Sequence, residues 1–197
     1  MPKTFEDDQE IKAWGDSLDE RWPERLTIRD TMLERLCEMR CAQPRILELC
    51  SGDGRFAERI LQAVPVAEYV ALDDSSDLCA FVAKRLNIKT VLADLTSGNR
   101  YGQVASCFDA ILTMQSMHDV GGPEVIEAVY RRCYGQLNYE GRMLAADFVV
   151  PFGKVDPDRP GRLPVEWHLG LLENIGYESV RCVEHAGAIA CVSGIRK

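Results

Sequence analysis

Glu48, Cys50, Gly52 and Gly54 stand within seven residues of one another in the stretch Arg45 to Leu61, RILELCSGDGRFAERIL. An acid at the end of an apolar run, followed by glycines, gives a backbone that can turn sharply and approach a ligand closely. The apolar residues Ile46, Leu47 and Leu49 read as a buried strand, and Ala57, Ile60, Leu61 and Val64 recur at helical spacing after the glycines. Strand, tight turn and helix in that order form the cradle a nucleotide-type cofactor needs at the carboxyl end of a parallel sheet. The loop is not a dinucleotide fingerprint, because GxGxxG aligned on Gly52 reads Cys50, Gly52 and Arg55. Nor is it a phosphate loop, since no GK[ST] ending follows.

The elements that must hold this loop alternate along the chain. Periodicity predicts strands at 45–50, 67–73, 89–93, 108–114, 141–150, 178–184 and 187–195, with helices at 54–63, 76–86, 122–137 and 163–175. Such alternation predicts an α/β sandwich with a largely parallel sheet and helices on both faces. The short turn at Ala186-Gly187 forces the last two strands to pair antiparallel. Ahead of the first strand, Ile11, Trp14, Leu18 and Trp22 fall three or four apart, so residues 1–27 form an amphipathic helical arm and 28–197 the main domain. Thr27 reads as the N-cap of the next helix, with Ile28, Met32, Leu33 and Leu36 buried. The stretches 96–105 and 151–164 read as loops, the second near the ligand face.

With these elements in place, the motifs resemble those of class I S-adenosylmethionine-dependent methyltransferases. The acid and glycines of Glu48 to Gly54 are similar to that family's (D/E)xGxGxG. YVALDDSS, residues 69–76, resembles its second strand; VLADL, 91–95, its third; FDAILTMQSMHDV, 108–120, its fourth strand and following loop. YEGRMLAADFVV, 139–150, and LGLLENIGY, 169–177, resemble the fifth strand and the late helix. The resemblance implies a Rossmann-like methyltransferase fold, S-adenosylmethionine as cofactor and S-adenosylhomocysteine as product. It implies that Glu48 orients the glycine turn and the cofactor's ammonium group, that Asp73 takes the ribose hydroxyls and that Asp94 takes the adenine amino group. Asp74 and Leu95 adjoin those acids, and Gln115 with Ser116 meets the methionine portion. Asp53 and Asp74 also suit turn positions. Cys50 replaces the first motif glycine. A Cβ there crowds the methionine end or shifts the turn, which leaves room for a non-catalytic cofactor-binding module as an alternative.

Methyl transfer is an in-line displacement in which positioning does most of the work. A hydroxyl or protonated amine must lose a proton, and His118 stands where a base is useful, unless it serves only a structural hydrogen bond. In an extended loop Asp119 faces away from it, so the two do not form a relay. Trp14, Arg21, Trp22 and Tyr130 are candidates for a small lid. Glu166, Trp167 and His168 begin a helix facing the same cleft, with Trp14, Trp22 and His168 as substrate contacts. The sequence lacks the (N/D)PP(Y/F/W), Pro-Cys and paired-glutamate signatures of other methyltransferase subclasses. Aminopropyl transfer would need an acidic polyamine pocket, and the loop offers only Asp119.

Composition narrows the acceptor. The 197 residues suit one domain, and 31 acidic against 23 basic side chains give a net charge of −8, unlike a nucleic-acid binder. A small-molecule acceptor with an oxygen or nitrogen nucleophile is expected. The N-terminus has no basic start or apolar core, and no run is long enough for a bilayer, so a cytoplasmic protein without membrane partner is expected, as monomer or homodimer. The eight cysteines include no CxxC; Cys79, Cys107, Cys182 and Cys191 sit in apolar segments and read as reduced core thiols with no metal role.

Overall fold

A computed structural model describes residues 2–96, 104 and 107–197. Helices α1 (Asp8–Arg21) and α2 (Glu24–Cys37) lead into β1 (Arg45–Leu49), α3 (Arg55–Ala63), β2 (Glu68–Asp73), α4 (Ser76–Leu86) and β3 (Lys89–Leu92). The chain continues through β4 (Phe108–Met114), α5 (Met117–Val120), α6 (Pro123–Gln136), β5 (Leu137–Phe148), α7 (Val165–Ile175), β6 (Tyr177–Ala186) and β7 (Ile189–Arg196).

The strands form one sheet in the order β3-β2-β1-β4-β5-β7-β6, with β7 antiparallel to both neighbours and the rest parallel. From β1 the chain winds outward to β3 and then crosses back to β4 on the other side. β1 and β4 therefore flank the switch point, outside whose carboxyl ends ligands of open α/β sheets bind. The strands are apolar on both faces because both are covered. Ile46, Ala110, Leu112 and Leu144 pack beneath residues of α2, α3 and α4, while Leu47, Ile111, Met143 and Val192 pack against α6 and α7. Neighbours in β4 alternate between these two cores, as the pleat requires.

The caps explain where the helices start and stop. Asp7 accepts from the backbone N–H groups of Gln9 and Glu10, Ser75 accepts from that of Leu78, and left-handed Gly176 ends α7. The expected strands and helices are found within a few residues. Two expectations are corrected. Thr27 is not an N-cap: α2 starts three residues earlier behind Pro23, whose fixed φ of −61° already suits a helix. Residues 117–120 are not extended but form the single turn α5. The expected loop at 96–105 lies mostly outside the described residues. Among the described residues, no helix is long and apolar enough to cross a membrane.

Candidate functional site

Above β1 the chain bends through three left-handed residues, Cys50 (φ 53°), Gly52 (φ 58°) and Gly54 (φ 73°). Only glycine adopts this region without strain, so Cys50 keeps the turn's shape and carries its cost. Burial raises the thiol's pKa, as does Asp73, and the thiol is hydrogen-bonded to Ser116 at the end of β4. Asp73, at the end of β2, accepts from the backbone N–H of Gly52 at 3.0 Å and of Ser75 at 3.1 Å. Burial lifts its carboxyl to about 6 against the pull of these bonds.

The structure places Glu48 differently from the sequence expectation. Asp73, not Glu48, orients the glycine turn. Glu48 lies one layer below, where it accepts from the Tyr69 hydroxyl at 2.8 Å, and burial raises it to about 8. It faces a small cavity of about 90 Å³ beside the main one. Gly54 does not line the main cavity either. It precedes α3, and a Cβ there would meet Val82 at 2.9 Å, so its job is close packing of α4 on the turn.

The main cavity, about 930 Å³, opens above β1, β2 and β4. Gly52, Asp73, Asp74, Asp94 and Leu95 line its β2–β3 side, as the motifs imply. Asp94 accepts the Thr96 N–H at 2.8 Å and hydroxyl at 2.7 Å, which lower its pKa. Gln115, another left-handed residue with φ 53°, lines both cavities, and neither buried amide atom has a hydrogen-bond partner among the described residues. A buried, unpaired amide is costly unless something else satisfies it.

The β4–β5 side is built around His118. Because α5 is helical, His118 turns toward β5, where buried Asp147 meets its Nδ1 at 2.5 Å and accepts its backbone N–H at 2.9 Å. A third bond, from the Phe148 N–H at 2.7 Å, fixes the carboxylate. The helical turn also overturns the expectation for Asp119, whose carboxylate lies 3.3 Å from His118 Nε2 and pairs with Arg159. The sequence reading missed Asp147; its signal is a lone acid within the apolar run LAADFVV. It also missed Arg159 and Arg162, which line the cavity from the loop after β5.

The N-terminal arm covers the cavity. Gly15 of α1 sits so close to Asp53 and Arg55 that a Cβ would lie 2.1 Å from the Asp53 carboxylate. Asp19 receives Arg25, Arg29 and Arg55, which hold its carboxyl well below the usual range. The Ser75 hydroxyl donates to the Lys3 carbonyl at 2.6 Å, and the Phe5 N–H to Asp77 at 3.0 Å. Trp14, Arg21 and Trp22 line the cavity as expected.

Tyr130 and His168 do not. Both are buried between α6 and α7, the hydroxyl 3.1 Å from His168 Nδ1, and burial lowers His168 to about 4. The inward face of α7 meets α6 rather than the cleft. Glu166 and Trp167 are likewise off the cavity wall. Of the cysteines expected in the core, Cys79 and Cys191 are buried and Cys182 partly so, but Cys107 is exposed. Among the described residues, no three His, Cys, Asp or Glu side chains are grouped to hold a metal.

A family model described as "Methyltransferase domain" matches residues 46–141. A search of curated proteins by sequence finds no match. Solved structures with the same fold include the S-adenosylmethionine-dependent methyltransferase SibL in its apo form (19% identity, 88% of this chain, 55% of that chain, TM-score 0.67). Another is an O-methyltransferase family protein from Burkholderia thailandensis (14% identity, 98% and 61% covered, TM-score 0.71). A third is human N-acetylserotonin methyltransferase in complex with S-adenosylmethionine (12% identity, 96% and 56% covered, TM-score 0.66). The chain thus spans between 55% and 61% of the length of these three structures.

Proposed function

We propose, from the premise that the chain belongs to the class I S-adenosylmethionine-dependent methyltransferases, that it transfers a methyl group to a hydroxyl or amine of a small molecule, with His118 as general base. The observation that carries this reading is the convergence on one cavity of the Asp73-held glycine turn and the His118–Asp147 pair.

The residues present fit the cofactor. Gly52 has no Cβ beneath the Trp14 ring, the Asp73 carboxylate keeps acceptor capacity beyond its backbone bonds, and the buried Gln115 amide lacks a partner among the described residues. Gly52, Asp73, Asp94, Leu95 and Gln115 would hold it, with Cys50 and Asp74 at the edges. S-adenosylmethionine would supply an electrophilic sulfonium methyl there. Asp147 holds the His118 imidazole with Nδ1 as donor, which leaves Nε2 to accept the acceptor's proton. The Asp119 carboxylate, 3.3 Å from Nε2, must move aside to let an acceptor reach it. Residues 1–27 serve as a lid, with Trp14 and Trp22 supplying aromatic contacts, and 28–197 as the cofactor domain. A net charge of −8 supports a small molecule over nucleic acid as acceptor.

Calorimetric titration with S-adenosylmethionine and S-adenosylhomocysteine tests this reading. Wild type is expected to bind both, and Asp73→Ala to lose roughly tenfold or more in affinity through the missing charged hydrogen-bond acceptor. A folded wild type that binds neither overturns the proposal. Binding without turnover of any hydroxyl or amine acceptor returns the chain to a non-catalytic binding module.

A further inference from the structure

We propose that the acceptor is an anion: a hydroxylated aromatic acid whose carboxylate pairs with Arg159 and Arg162 while its hydroxyl meets His118. This rests on the methyl-transfer reading and names its substrate class.

Charges of both signs line the cavity, Lys3 and Arg25 of the N-terminal segment among them. Asp73, Asp74 and Asp94 stand above β2 and β3, whereas Arg159 and Arg162 stand above β4 and β5, with Arg21 on the covering arm. A chain of net charge −8 therefore turns a cationic wall toward the space beside its histidine. The acid on that wall, Asp119, bridges Arg159 and His118 Nε2. A carboxylate of the protein itself thus already pairs with Arg159 there, and an incoming anion would replace it.

The aromatic part of the class follows from Trp14 and Trp22, which line the same cavity as His118 and Arg162. Buried Phe148 ties these groups together: its ring is edged by Trp22 at 4.7 Å and by His118 at 4.9 Å, and the Arg162 guanidinium lies over it at 4.8 Å. A base and a cation thus stand beside an aromatic wall. Arg162 is also under-used: among the described residues its one ion pair, to Asp156, is a long 3.4 Å, and its buried Nε has no partner. A guanidinium with spare donors, beside an aromatic surface, suits a planar carboxylate. A neutral acceptor would leave that capacity unmet.

The test is calorimetry on the protein loaded with S-adenosylhomocysteine. The probes are the ortho, meta and para hydroxybenzoates and para-hydroxycinnamate, each beside its own carboxamide. At least one acid is expected to bind roughly tenfold or more tightly than its carboxamide. Arg162→Gln and Arg159→Gln are each expected to erase that preference, and Arg162→Lys to restore part of it. Unchanged S-adenosylhomocysteine affinity in each variant shows that the fold and the cofactor side are intact. Carboxamides that bind as well as the acids, no binding by any acid, or an acid preference that survives both Gln variants overturns the inference and leaves the methyltransferase reading standing. If S-adenosylhomocysteine itself does not bind wild type, both fall together.

Discussion

Above β1 to β3 the cavity wall is shaped by backbone, a left-handed turn steered by Asp73 through the Gly52 N–H. Above β4 and β5 it is side chains that hold one another: Asp147 holds His118, Arg159 holds Asp119, and Arg162 rests on Phe148. The first kind of wall depends on φ angles and tolerates few residue types. The second depends on three separate segments, α5, the end of β5 and the loop that follows it, and two of the three lie outside the sheet. A site divided this way keeps one ligand constant and lets the other vary, which is why the fold speaks to the cofactor more clearly than to the acceptor.

The largest effect expected is on turnover, and it should be confined to the side-chain wall. His118→Gln and Asp147→Asn are each expected to lower kcat by about 10²- to 10⁴-fold, the range for a positioned general base. S-adenosylhomocysteine affinity should be unchanged. If cofactor affinity falls in parallel with kcat, the two walls are one unit and the division fails.

His168 sharpens the same contrast, because it is also buried and also bonded through Nδ1, but to a neutral phenol and off the cavity. Its pKa is about 4, below the ordinary 6.5, so the folded state refuses a proton that the unfolded chain takes up. Its contribution to stability is complete above pH 6.5 and is lost as pH falls toward 4. The loss by pH 4 amounts to about 3 kcal/mol. His168→Gln should therefore flatten the fall in stability across that window, measured by urea unfolding at successive pH values, and leave turnover unchanged. A kcat loss like that of His118→Gln would place both histidines in one network.

The two walls were unequally legible in the sequence. Glu48 to Gly54 and Asp73 are close in the chain, and their order along strand, turn and strand end is enough to place them. The task of orienting the turn nonetheless falls to Asp73 where the sequence pointed to Glu48, because spacing shows that two acids stand on neighbouring strands but not which one reaches the Gly52 N–H. On the other wall, His118 and Asp147 are brought together only by the pairing of β4 with β5 and by the single turn of α5, which is too short to leave a periodic pattern. Arg159 and Arg162 sit in a proline-rich segment whose path no periodicity reports. His168 and Tyr130 fell on helices that were found correctly. The pattern does not say which neighbour an apolar face will meet.

Cys50 joins the two walls and gives the smallest and most discriminating prediction. Its backbone belongs to the β1 turn, where φ 53° costs a residue with a Cβ about 1 kcal/mol. Its thiol belongs to the other wall through Ser116. Cys50→Ala keeps the backbone cost and discards the thiol contact, so it should destabilise by about 1 kcal/mol. Cys50→Gly discards both, and its looser unfolded chain takes back part of the relief, so it should lie within about 0.5 kcal/mol of wild type. The Gly variant should thus unfold roughly 2–4 °C above the Ala variant in thermal denaturation. Equal midpoints would mean that the left-handed turn stores no strain at Cys50. The backbone wall would then be no more demanding of residue type than the side-chain wall, and the contrast between them would lose its physical basis.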